Sequence, residues 1–218
     1  AISEALGAEQ PIYCFQAPAG DHDPAEPESM EEKAAKMIEL IVGVQPHGPY
    51  YLIGYSFQSH VAFEIAQQFH DRGEVVAFLG IIDDNADLER RRPGVENFPP
   101  KKLTTGTLNL WAIERYVPKP YAGRVTLFRA AIPAEIYQAD ATAGWGELAL
   151  GGVETFDAAG DHAHMVTRDG FGWGALLGVV LARARRVGTL RTDGAKELAR
   201  AVRQARGIVT GKTTRHTV

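Results

Sequence analysis

Disulfide chemistry has almost nothing to work with in this sequence. Cys14 is the only cysteine among 218 residues, so no internal bridge can form, and a reducing compartment fits. Long apolar runs are missing as well: without a stretch of 18, no membrane-spanning helix is expected. The opening AISEALGAEQP is too polar for a secretory signal, which makes the cytoplasm the expected location. Internal repeats are lacking, which excludes a solenoid or propeller. What remains is ordinary for a soluble globular chain, with 45% hydrophobic and 23% charged residues, enough for one substantial core.

Charge is unevenly spread. Residues 168–218 hold 11 Lys and Arg against 3 Asp and Glu, while the first 167 residues are strongly acidic. A basic end can bind nucleic acid. Here no aromatic-studded platform and no helix-turn-helix pattern accompanies it, so a solvated helix face is the reading adopted and no nucleic-acid partner is expected.

The chain reads as alternating strands and helices. Pro11 to Gln16 (PIYCFQ) is a short apolar run bounded by Pro18 and Gly20, which predicts a buried strand. Ser29 and Glu32 form a capping box ahead of a helix running to about Val44. YYLIG, Tyr50 to Gly54, predicts a second strand; a helix then runs from Phe57 to Arg72 and stops at Gly73. Val75 to Ile82 is apolar throughout, as a parallel strand covered on both faces should be. A Pro- and charge-rich connection follows, then a helix near Leu108 to Tyr116 and strands at Arg124 to Ala130 and Val153 to Asp157. This order predicts an open α/β sheet.

Ligands on such sheets sit at the carboxyl ends of strands. Gly54-Tyr55-Ser56 there is the first half of a nucleophile elbow, G-x-S-x-G, with Gln58 in the place of the second glycine. Asp83 closes the strand FLGIID, and His162 lies in AAGDHAHM just past VETFD. A serine hydroxyl needs an imidazole to take its proton and a carboxylate to hold that imidazole in one tautomer. Ser, Asp and His in this order are the order used on α/β-hydrolase sheets. Each residue has a plainer role open to it: Ser56 as an N-cap, Asp83 or its neighbour Asp84 as a loop cap, His162 and His164 as surface histidines. All three at strand ends favour a hydrolase-type site.

These residues also show a resemblance. VQPHGPYYLIGYSFQSHVAFEIAQQFHDRGEVVAFLGIIDD closely resembles the thioesterase domains that end nonribosomal peptide and polyketide synthases. YVPKPYAGRVTLFRA, the Gly144-Trp145 pair and GGVETFDAAGDHAHM extend the likeness over about residues 5–166. It implies an α/β-hydrolase-like, mostly parallel sheet flanked by helices, with the first strand and the lid truncated. Residues 1–167 would be the thioesterase-like core, 86–107 a shortened lid connection, and 168–218 a basic extension with helices at Ala175–Arg186 and Ala195–Arg206. The sharp charge change after residue 167 suggests a foreign extension or a shifted reading frame.

The resemblance implies Ser56 as nucleophile, Asp83 as acid and His162 as base, since the family's histidine follows G-x directly. The Phe57 N–H would meet the oxyanion, and no metal is required. The acyl chain would arrive as a thioester on the phosphopantetheine of an acyl or peptidyl carrier protein, with no cofactor bound by the domain itself. An acyl-serine would form and then be released. Four departures from the family pattern bear on activity. Gln58 and Ser59 replace glycines. The small-residue loop carrying the second oxyanion N–H would lie before Ala1, leaving Ala17 and Ala19 of APAG as substitutes; losing one such donor costs roughly 10²–10³ in rate. The short lid leaves the cleft open, which favours hydrolysis over cyclisation. The tail stands where the family has a closing amphipathic helix, and Ala175–Arg186 is the segment that could replace it. Apolar surface bared in this way leaves a homodimer open. A catalytically impaired remnant that only docks carriers is the alternative function, and a general esterase for small esters is a third.

Overall fold

The computed structural model describes residues 2–15, 27–86, 104–131, 140–166 and 174–186. Its frame is a four-stranded, all-parallel sheet in the order β1 (Tyr50–Tyr55), β2 (Val76–Ile82), β3 (Val125–Ala130), β4 (Val153–Ala158). Helices α1 (Ile2–Leu6), α2 (Met30–Val44), α3 (Phe57–Asp71), α4 (Thr105–Arg115), α5 (Trp145–Leu148) and α6 (174–186) surround it.

Local chemistry explains the boundaries. The Ser29 hydroxyl accepts from the Glu32 N–H while the Glu32 carboxylate accepts from the Ser29 N–H, so α2 starts where two orphan donors are satisfied. Thr104 and Thr107 do the same for α4. Helix α3 ends before Gly73, whose φ of +75° is the left-handed conformation that glycine adopts without strain.

Strand alternation sends side chains to two cores. Leu79, Ile81, Val125 and Leu127 pack with Ala62, Phe63 and Ala66 of α3 and with Trp145. Met30, Ala34 and Ile38 of α2, with Ala112 and Ile113 of α4, extend the helical layer over Tyr50 and Phe69. On the other face Phe78, Ile82, Phe128 and Ala130 meet Met165 and Leu177, Val180 and Leu181 of α6. A parallel sheet needs cover on both sides, and α6 supplies it from within the basic tail. The helix expected at Ala195–Arg206 and most of the 86–107 connection lie outside the described residues.

One expectation is corrected. Pro11 to Phe15 form no strand: these residues have no regular structure, and Ile12, Tyr13 and Phe15 are exposed by 49%, 64% and 39%. A strand needs a neighbour for its N–H and C=O groups as well as an apolar sequence. Among the described residues only β2 pairs with β1, so no ladder reaches this run. No described helix is long and apolar enough to cross a membrane.

Candidate active site

Ser56 stands between β1 and α3 with φ 52° and ψ −133°, a conformation that L-residues rarely hold. Such strain costs on the order of 1–3 kcal/mol and persists only where its surroundings enforce it. Here the Ser56 N–H donates to the Ile82 carbonyl (3.1 Å), and its own carbonyl accepts from the Ser59 N–H (2.8 Å). Gly54 makes the sharp turn feasible: a Cβ there would lie 2.3 Å from the Gln58 carbonyl oxygen and 2.5 Å from the Ser59 Cα. Gln58 itself is exposed, so its long side chain leaves this crowded side. Ser59 is buried and donates its hydroxyl to the Gly54 carbonyl (3.0 Å), a bond glycine could not make. The Ser56 hydroxyl caps nothing. The Phe57 N–H opens the first turn of α3, where backbone donors have no partner within the helix. Ala17 and Ala19 lie outside the described residues.

Asp83 follows β2 with φ 47° and is held on three sides. Its N–H donates to the Phe128 carbonyl (2.8 Å), and Oδ1 accepts from the Ala130 N–H (2.8 Å). Oδ2 lies 2.8 Å from Nδ1 of His162. An ionised carboxylate only accepts, so Nδ1 carries the proton and Nε2 is left as the basic nitrogen. The His162 side chain is 38% exposed while Asp83 is 4% exposed, an arrangement of buried anchor and accessible ring. His164 takes no part in this pair: its Nδ1 lies 2.7 Å from Asp161, whose carboxyl is held low by the His164 N–H and ring.

Two features escaped the sequence reading. Tyr55, the residue before the serine, donates its hydroxyl to the His162 carbonyl (2.7 Å) and stacks on that ring, with centroids 4.9 Å apart. Tyrosine at the variable place of G-x-S carries no sequence signal for this contact. The second is a fully buried histidine, His60, whose Nε2 is 3.2 Å from Oδ2 of Asp84. Trp145 covers His60, with centroids 5.1 Å apart, and its indole N–H donates to the Asp84 carbonyl (2.9 Å). The helix that begins at Ser56 is thus tied to the loop that presents Asp83. Asp-Asp at 83–84 and His at the fourth place of α3 were visible, but nothing in the spacing joins them.

A cavity of about 510 Å³ opens beside Asp83, lined by Asp84, Arg129, Asp140 and Asp157 among others, but by neither Ser56 nor His162. Its polar side chains are engaged within the chain. Arg129 binds Asp157, and Asp140 is held low by the Thr142 hydroxyl and N–H and the Gly144 N–H. No described group of His, Cys, Asp and Glu could hold a metal ion.

A parallel sheet under helices, with a strained serine after β1 and a His–Asp pair contributed by the segments after β4 and β2, defines an α/β-hydrolase-like protein. The particular family follows from comparison. The thioesterase domain family profile matches residues 1–111, and the chain belongs to that family. Indigoidine synthase of Dickeya dadantii is 46% identical over 81 residues, 37% of this chain and 5% of the synthase. Malpibaldin synthetase of Mortierella alpina is 43% identical over 82 residues, 38% of this chain and 2% of the synthetase. The chain therefore spans only a few per cent of the length of these curated relatives. Among solved structures, the RedJ thioesterase of the prodiginine pathway in Streptomyces coelicolor shares the fold with a TM-score of 0.61 at 21% identity, covering 82% of each chain.

Proposed function

We propose that this domain is a serine thioesterase that releases an acyl or peptidyl chain from the phosphopantetheine of a carrier protein. The Asp83–His162 bond of 2.8 Å, next to the strained serine turn, carries this reading. In the first step Oγ of Ser56 attacks the thioester carbonyl and its proton passes to Nε2 of His162. The Phe57 N–H meets the oxyanion that develops. Collapse breaks the C–S bond, and the thiolate takes the proton from His162. Water then attacks the acyl-serine, again giving a proton to His162, and leaves a free carboxylic acid and the restored hydroxyl. Phosphopantetheine acts here as part of the substrate, and the domain itself holds no cofactor. Sulfur-bound carbonyls are activated already, which suits a site with one described oxyanion donor.

The test is exposure of the chain to a serine-directed fluorophosphonate followed by peptide mass spectrometry, together with acyl-thioester hydrolysis by wild type and Ser56→Ala. An adduct on Ser56, and a thiol release that falls at least about 10³-fold in the variant, support the reading. Thiol release indifferent to the substitution, with no adduct, defeats it and leaves a carrier-docking remnant.

A further inference from the structure

His162 needs more than Asp83 to be useful as a base. One hydrogen bond fixes one ring nitrogen but leaves the ring free to swing about it, and 38% of the side chain is exposed. The structure supplies the missing restraints from one residue. The Tyr55 hydroxyl donates to the His162 carbonyl at 2.7 Å, which fixes the backbone from which the ring projects. The Tyr55 ring lies against the imidazole, with centroids 4.9 Å apart and planes 26° from parallel, which limits its tilt. Tyr55 is itself immobilised: it ends β1, its backbone is paired with Ile82, and its side chain packs with the core under α6. It also adjoins Ser56 and stands across the sheet from the residue before Asp83.

We propose that Tyr55 is the positioning residue of the site, holding the His162 imidazole in the orientation that its bond to Asp83 requires. The inference rests on the acyl-transfer reading for its purpose, though not for its geometry. Burial, reinforced by the charges of Asp83 and Asp161, pushes the phenol above its ordinary range, so Tyr55 stays a neutral donor across the physiological range. Position explains why a phenol does this work from the variable place of the elbow: β1 aims it over the neighbouring strand ends, where the histidine loop passes.

Two substitutions grade the restraints. Tyr55→Phe keeps the ring and loses the hydroxyl; Tyr55→Leu loses both. Long-range ¹H–¹⁵N spectra of the full chain report the tautomer of His162, assigned with His162→Ala, and need no turnover. The expected result is the Nδ1–H tautomer in wild type, a partial shift towards Nε2–H in Tyr55→Phe and a full mixture in Tyr55→Leu. Fluorophosphonate labelling of Ser56 should slow about fivefold in Tyr55→Phe through its limiting rate, with half-saturation unchanged. A wild-type tautomer and rate in Tyr55→Phe overturn the proposal, as does a wild type lacking the Nδ1–H form. If wild-type Ser56 takes no probe, the acyl-transfer reading fails while the tautomers still decide the role of Tyr55.

Discussion

Two His–Asp pairs stand side by side at the end of β2, built on consecutive aspartates, and they are fitted for different tasks. Asp83 meets His162 at 2.8 Å, and Asp84 meets His60 at 3.2 Å. Both carboxylates are buried. The histidines differ: the His162 side chain is 38% exposed, His60 not at all. Proton transfer to a substrate needs a nitrogen that a substrate can reach, so only the first pair can serve as a base and its orienter. The second lies under Trp145 and links α3 to the loop after β2. The same two residue types therefore do chemistry at one address and construction at the next. Access separates them.

That contrast is open to direct attack. The largest effect is expected from Asp83→Asn, which keeps the shape but releases the tautomer of His162; thioester hydrolysis should fall by about 10³–10⁴ while the melting curve barely moves. Asp84→Asn should reverse the pattern, with a lower thermal midpoint and little change in the chemical step. Equal kinetic damage from both would abolish the distinction. Next comes His60→Leu, which removes the buried imidazole 3.2 Å from Asp84 and should cost about 1–3 kcal/mol in urea unfolding. Adding Asp84→Ala to it should return part of that loss in a double-mutant cycle.

Alkaline pH should act on the construction side as well. Burial, and after it the charge of Glu64, raises the Tyr116 phenol well above the ordinary tyrosine range, and burial raises Tyr55 in the same direction. Unfolded phenols then lose their protons first, so stability present below about pH 10 declines as pH rises beyond it. Urea midpoints at about pH 9 and 11 would show the decline, and Tyr116→Phe should flatten it. The smallest effect is reserved for Gln58→Gly. The close approach is absorbed at Gly54, and Gln58 is exposed, so restoring glycine should change hydrolysis less than about threefold and lower stability by at most about 1 kcal/mol.

Much of the frame was legible in the order of residues. Capping boxes, apolar strands and the helix after Ser56 are local matters, decided within a few positions; of the expected elements that formed, the observed bounds fall within a residue or two for all but α4, while the short helices α1 and α5 were not foreseen. The helix at 174–186 was legible too, as the substitute for the family's closing helix, though which residues it would cover was not. PIYCFQ misled because apolar content describes the run alone, whereas a strand is made by the neighbour that bonds to it. At the site, a choice between His162 and His164, or Asp83 and Asp84, could rest only on likeness to a family. Coordinates separate them by 2.8 Å contacts and burial.

What the residues determined unaided is the α/β succession, the serine turn that Gly54 permits and the family to which the chain belongs. What three dimensions decided is which carboxylate faces which imidazole, that Tyr55 lies on His162, and that an arginine-rich tail lends a helix to the core. Propensity and capping act between residues a few places apart, and the order of amino acids carries them. Tyr55 and His162 are 107 positions apart, and Asp83 and His162 are 79. Their meeting depends on where the sheet sets its strand ends, which no short stretch encodes.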